Sequence, residues 1–131
     1  MQMSVGTWST VHTPYNEVEV KKYAPASDGV YCLWVNYKSG RWACFYVGKA
    51  ENIETRLLYH LSNDEPNACI KENVKYKCAF CWIKLTTEAE RSGAEKYLYD
   101  RLHPECNQND PGGKPLPIPL PPQPAPTAPT A

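Results

Sequence analysis

The sequence predicts an α+β domain with its elements in the order β-β-α-β-α, followed by a proline-rich tail. Two runs rich in aromatic and β-branched residues flank a glycine-bearing loop and predict an antiparallel hairpin. Two stretches with apolar residues at i, i+4 spacing stand behind polar capping residues and predict helices. Of thirteen prolines, nine fall at or beyond Pro111 and only four in the first 110 residues. The chain therefore divides into an N-terminal extension (1–24), a packed domain (25–110) and a flexible or polyproline II tail (111–131).

In the extension, Glu17-Val18-Glu19-Val20-Lys21 alternates as a half-buried strand would, giving one short strand or helix to pack on the domain. Pro25-Ala26-Ser27-Asp28-Gly29 is a turn cluster. The hairpin strands follow at 30–35 and 42–47, joined by a loop in which Gly40 is free to take a positive φ. Asn52 then caps a helix to about Leu61, with Ile53, Leu57 and Leu61 on one stripe. The next stretch, 62–73, is polar; Pro66 limits it to a short helical turn around 68–71. Residues 75–85 read as a third strand. Thr87-Glu88-Ala89-Glu90 is a capping box opening a helix whose apolar positions run to Leu102, where His103-Pro104 ends it.

Fourteen Lys and Arg balance fourteen Asp and Glu, and the segment up to residue 110 carries 13 basic against 14 acidic residues. Bulk charge thus disfavours a protein that grips polyanions by its overall field. No run reaches the ~18 apolar residues of a membrane span, and no secretory signal is visible, so a soluble, cytoplasmic protein is expected. Six cysteines are too sparse for a disulfide scaffold and are expected as free, mostly buried thiols. Cys78 and Cys81 form a single C-x-x-C without a second half, and on a strand their side chains point to opposite faces, which argues against zinc.

Several residues could act together on a phosphodiester. Tyr31 and Tyr46 lie in matched contexts on adjacent strands, in Gly29-Val30-Tyr31 and Tyr46-Val47-Gly48. Lys49 follows at once. Arg56 and His60, four apart, are expected on the helix face turned away from the apolar stripe. Glu95 lies in the middle of the last helix and Asn107 just beyond its end. A divalent cation on Glu95 would neutralise phosphate oxygens, Arg56 and Lys49 would stabilise developing charge, and a tyrosine or His60 would orient or deprotonate water.

These positions resemble the signature of the GIY-YIG endonuclease family, with Val in place of Ile in both tripeptides. Lys49 stands three after Tyr46, Arg56 seven after Lys49, and His60 four after Arg56. Asn107 stands twelve after Glu95 in a Pro-x-x-Asn context. Each has an ordinary reading by itself: sheet aromatics, a solvated helix face, a Glu95–Arg91 surface pair, a turn-capping asparagine. None of those readings asks for all the spacings at once. The resemblance implies a central three-stranded antiparallel β-sheet flanked by helices, a single Mg2+ or Mn2+ held by Glu95, and hydrolytic cleavage of DNA. It also implies Arg56 as phosphate clamp and Tyr31, Tyr46 and His60 around the attacking water, with Tyr31 favoured as the base.

The expected activity is a metal-dependent DNA endonuclease or nickase with DNA as its partner; a homodimer would convert nicking into double-strand cutting. The alternative is a non-catalytic nucleic-acid-binding or adaptor module whose proline tail engages a protein partner. Fourteen residues separate Tyr31 from Tyr46, long for the family, so the hairpin carries Trp34, Tyr37, Arg41 and Trp42, aromatics with a cation that suit unpaired bases. Basic residues gather at the proposed site, while Glu17, Glu19, Asp64 and Glu65 are expected outside it. His12 and His103 are expected to be structural or exposed.

Overall fold

A computed structural model describes residues 6–37 and 40–124. Its centre is a three-stranded antiparallel sheet of β1 (Gly29–Asn36), β2 (Trp42–Ala50) and β3 (Lys77–Lys84), ordered β2-β1-β3. Every residue of β1 is buried, because the central strand is covered on both faces. One face carries α1 (Glu17–Tyr23), α2 (Ile53–Leu61) and α3 (Ala68–Asn73), with Tyr31, Leu33, Ile53, Leu57 and Phe80 in its core. The other carries α4 (Glu88–Leu102) over Val30, Cys32, Val47, Ile83 and Leu98. The β1–β2 register slips between Leu33 and Trp34: Leu33 faces Tyr46 while Trp34 faces Cys44, leaving Phe45 unopposed as a bulge. The loop glycine, Gly40, has φ 81° as its turn requires.

The helices begin where their caps stand. Asn52 accepts from the Thr55 amide, and Thr87 and Glu90 close a reciprocal capping box on α4. His103, in a left-handed conformation, ends α4. The alternating segment around Val18 is the exception: it is helical, not a strand. Asn16 accepts from the Glu19 amide, and Glu17 and Glu19 in the first turn with Lys21 and Lys22 in the last complement the helix dipole. Four alternating residues also fit a helix that buries Val20 and leaves Val18 in solvent.

Both sheet edges are occupied. Residues 9–15 run beside β3, with His12 and Phe80 exchanging backbone hydrogen bonds of 2.9 Å and Tyr15 donating to the Cys78 carbonyl. At the β2 edge, the Cys106 amide donates to the Phe45 carbonyl at 2.7 Å. The tail is less detached than its composition suggests. Up to residue 124 it lies against α4: the Leu116 amide donates to the Gly93 carbonyl, Ile118 is buried among α4 residues, and Trp8 Nε1 donates to the Pro119 carbonyl at 2.7 Å. Two apolar side chains in a proline-rich segment suffice to dock it on the α4 face, a feature that periodicity cannot register.

The cysteines also depart from expectation. Cys32, Cys44, Cys78 and Cys81 are buried free thiols, and Cys78 and Cys81 belong to opposite faces of the sheet. Cys69 and Cys106, however, form a disulfide with Cα atoms 5.3 Å apart. Asn67, which caps α3, donates to the Cys106 carbonyl and brings the two backbones together, a tertiary juxtaposition that cysteine density does not report. Closing a loop of 37 residues stabilises by roughly 3–4 kcal/mol through the unfolded chain. Reduction, or Cys106→Ser, is therefore expected to lower Tm by about 10 °C; an unchanged Tm under dithiothreitol would show that the bridge contributes nothing.

Candidate active site

The two glycines of the paired tripeptides are required by close approach rather than by turn geometry. A Cβ on Gly29 would come within 2.1 Å of the Ile83 carbonyl oxygen on the neighbouring strand, which no L side chain permits. A Cβ on Gly48 would overlap the Tyr31 ring, whose hydroxyl lies over that bare backbone. Tyr31 and Gly48 are cross-strand partners, so the second glycine is the floor on which the first tyrosine rests. The Tyr46 ring lies 6.1 Å from it, centroid to centroid.

Tyr31 is fully enclosed, and its hydroxyl is 2.6 Å from His60 Nε2. His60 Nδ1 is in turn 2.9 Å from Glu65 Oε2, and the other Glu65 oxygen accepts from the Asn67 amide. His60 thus lies in the core, not on the solvated side of α2, and Glu65, expected outside the site, is buried within it. The loop after α2 folds back and delivers Glu65 to the imidazole, a contact that no helical spacing encodes. Burial lowers the His60 pKa below its ordinary value, Glu65 opposing the shift. The imidazole is then neutral, with Nδ1–H donated to Glu65 and Nε2 accepting from the Tyr31 hydroxyl. Burial raises the Tyr31 pKa strongly, with Tyr46 adding to the shift and Arg56 opposing it.

Arg56 is half-buried between these phenols and the surface, its guanidinium 5.1 Å from the Tyr59 ring centroid. Tyr46 is also raised by burial, and Arg56 pulls it back down. Unlike Tyr31, Tyr46 reaches the surface: with Glu95 and Asn107 it lines a cleft of about 210 Å³ along the β2 edge. Asn67 and residues 108–111 form the rest of the rim, the latter fixed by Lys96 Nζ on the Asp110 carboxylate at 3.0 Å.

Glu95 reaches this cleft because α4 is held at its start. Arg91 donates to Asp28 at 2.8 Å and to Glu88 at 3.2 Å, a commitment that removes it as a partner for Glu95. Among the described residues no side chain hydrogen-bonds the Glu95 carboxylate; burial raises its pKa and the nearby Lys49 charge lowers it. The Lys49 ammonium itself is engaged by Glu88 and by Ser92 Oγ. Asn107 has both ends of its amide committed to one residue: Oδ1 accepts from the Val47 amide at 3.0 Å and Nδ2 donates to the Val47 carbonyl at 2.8 Å. Its side chain continues the ladder where the described residues supply no fourth strand. The structure therefore brings Tyr31, Tyr46, Arg56 and His60 into one cluster, sets Glu95 and Asn107 across the cleft from Tyr46, and leaves Lys49 exposed beside α4.

The only gathering of three metal-ligand side chains among the described residues is Cys69, Glu105 and Cys106. Its two sulfurs are joined to each other and offer no thiolate.

Two tests address this geometry. A histidine whose folded pKa is lowered contributes stability in its neutral form, fully above its unfolded value of 6.5 and progressively lost as pH falls through the folded pKa. Nitrogen NMR is expected to show His60 protonated at Nδ1 only, and still neutral at the ordinary histidine midpoint; titration at or above 6.5 would contradict the arrangement. Gly48→Ala should cost about 1–3 kcal/mol by overpacking. Combined with Tyr31→Leu it should cost less than the two separate losses added; strict additivity would mean that Tyr31 does not rest on Gly48.

No family model matches the sequence, and no curated protein matches it. Among solved structures, three point-mutant forms of the GIY-YIG N-terminal endonuclease domain of UvrC from Thermotoga maritima, each bound to its catalytic divalent cation, superpose on the chain. One is 24% identical with a TM-score of 0.51; the other two are 23% identical with TM-scores of 0.50. Each alignment covers 69% of this chain and 96% of the bacterial domain. At this identity the likeness bears on architecture, and it agrees with the three-stranded antiparallel sheet between helices found here. The chain carries the fold of the GIY-YIG endonuclease domain.

Proposed function

We propose that the protein is a divalent-metal-dependent endonuclease or nickase that hydrolyses DNA phosphodiesters at the cleft between β2 and α4. One observation carries the reading: a half-buried carboxylate, Glu95, which no side chain of the described residues hydrogen-bonds, shares a cleft with Tyr46, while Arg56 stands against Tyr46 from α2. A hard cation with oxygen ligands fits this donor set, since Mg2+ or Mn2+ is commonly held by one or two carboxylates with water and substrate phosphate completing the shell. The Thermotoga maritima domain is described with its catalytic divalent cation bound, which supports the same use here. When bound, such a cation would neutralise phosphate oxygens and favour attack by water.

The chain's own residues then have distinct tasks. Tyr46, the phenol on the cleft wall, orients the attacking water and takes its proton as phenolate, with Arg56 stabilising that negative charge and the charge developing on the phosphate. Tyr31, although favoured as base from the sequence, is fully enclosed and spends its hydroxyl hydrogen bond on neutral His60. We read Tyr31, His60 and Glu65 as a positioning chain that fixes the wall behind Tyr46. Asn107 holds β2 at the height of Val47 and so sets where Tyr46 meets Glu95. Lys49, tethered to Glu88 outside the cleft lining, adds positive charge near Glu95.

Supercoiled plasmid incubated with Mg2+ or Mn2+ should be nicked or linearised by the wild type. Glu95→Ala and Arg56→Ala, at unchanged Tm, should each lose on the order of 100-fold or more in rate. Because burial holds Tyr46 above its ordinary pKa, the wild-type rate should climb from neutral pH toward pH ~9, and Tyr46→Phe should abolish that dependence. Plasmid left equally intact by wild type and variants would overturn the nuclease reading for this substrate.

A further inference from the structure

The disulfide between Cys69 and Cys106 ties together two flanks of the candidate active site. On one flank Cys106 is followed by Asn107, which lines the cleft and holds β2 at Val47 through both ends of its amide. On the other, Cys69 lies in the first turn of α3, two residues after Asn67, which lines the same cleft. Asn67 joins several parts. Its side-chain oxygen accepts from the Cys69 and Ile70 amides, its Nδ2 donates to the Cys106 carbonyl at 2.8 Å, and its own amide donates to Glu65. Glu65 continues through His60 to Tyr31.

The pairing that the bridge secures is short. Residues 106 and 107 alone meet the β2 edge at Phe45 and Val47, whereas β1 pairs along its whole length with both neighbours. Short edge pairings open locally at far lower cost than a central strand. A covalent link keeps the effective concentration of the segment at β2 high; once the link is cut, hydrogen bonds alone must hold it there. Of the two joined residues, Cys69 is the one at the surface. It is half-buried, with its sulfur 3.7 Å from the carboxylate of exposed Glu105, while Cys106 is 2% exposed. The other four cysteines are buried free thiols.

We propose that this disulfide is a redox switch on the candidate active site: closed, it keeps the Cys106-Asn107 segment on β2 and the cleft assembled, and reduction by a dithiol releases that segment and lowers activity. The effect on cleavage rests on the nuclease reading; the release of the edge does not. A thiolate of the dithiol attacks the Cys69 sulfur, the bond between the two protein sulfurs breaks, and Cys106 leaves as a thiolate. The Asn73 side-chain amide, which donates to the Cys106 sulfur at 3.2 Å, stabilises that leaving group. The second thiol of the reductant then displaces Cys69 from the mixed disulfide. The protein gains two electrons and two protons, and the reductant becomes a disulfide.

The test compares the full chain oxidised, reduced with dithiothreitol and reoxidised, at room temperature, by hydrogen exchange and by plasmid nicking with Mg2+. On reduction the Val47 amide, which donates to Asn107, is expected to exchange about tenfold faster or more while β1 amides keep their protection. Nicking is expected to fall about tenfold or more and to return on reoxidation, because the cleft loses its set geometry. Cys69→Ser should match the reduced form and ignore dithiothreitol. Val47 protection that reduction leaves unchanged overturns the proposal. So does protection lost at Val47 and β1 together, since the bridge then only supports the whole fold, and so does a loosened Val47 with undiminished nicking. No nicking in any state, with Val47 loosened on reduction, sinks the nuclease reading and leaves the release of the edge standing.

Discussion

The arrangement depends on how a sheet of only three strands ends. β2 is an edge strand, and an uncovered edge would leave backbone donors and acceptors to water or to another chain. Here the segment after α4 completes it: Cys106 contributes its amide to Phe45 and Asn107 contributes both ends of its side chain to Val47. The disulfide to Cys69 and the Asn67 contact hold that segment in place from the α3 side. One substitute strand, two residues long, thereby joins both layers of helices at the spot where Tyr46 and Glu95 meet.

Behind that edge the polar groups are graded by depth. Glu65, His60 and Tyr31 form an enclosed series in which each hydrogen has a defined acceptor, and such a fully satisfied network orients its members rigidly. Tyr46 and Arg56 stand at the boundary, and Glu95 across the cleft is left without a side-chain partner among the described residues. The side chains able to reach a substrate are thus the least satisfied, while those that fix geometry are the most.

Much of this was legible in the residues. The capping signals at Asn52 and Thr87, the hairpin, and the paired tripeptides locate β1, β2, α2 and α4 and the four residues Tyr31, Tyr46, Arg56 and His60 of the cluster, because caps, periodicity and short-range spacing are local properties. What stayed hidden was whatever depends on chain returning from a distance. Glu65 looked like one more surface acid because its partner lies across a loop reversal. His60 looked solvated because helix periodicity says nothing about an aromatic wall supplied by β1. The Cys69–Cys106 bridge and the docking of Ile118 both rely on segments far apart in sequence, and the helix α1 was masked by an alternation that four residues satisfy equally well either way.

The contact between Trp8 and Pro119 spans 111 residues. A closure of that length gives up loop entropy before it returns any contact energy, so it belongs to the last stage of folding rather than the first. During synthesis the α4 face therefore stays without Leu116 and Ile118 until that stretch has left the ribosome, long after the sheet and the phenol cluster have their residues at hand. The polypeptide can assemble its chemistry early and become fully sealed late.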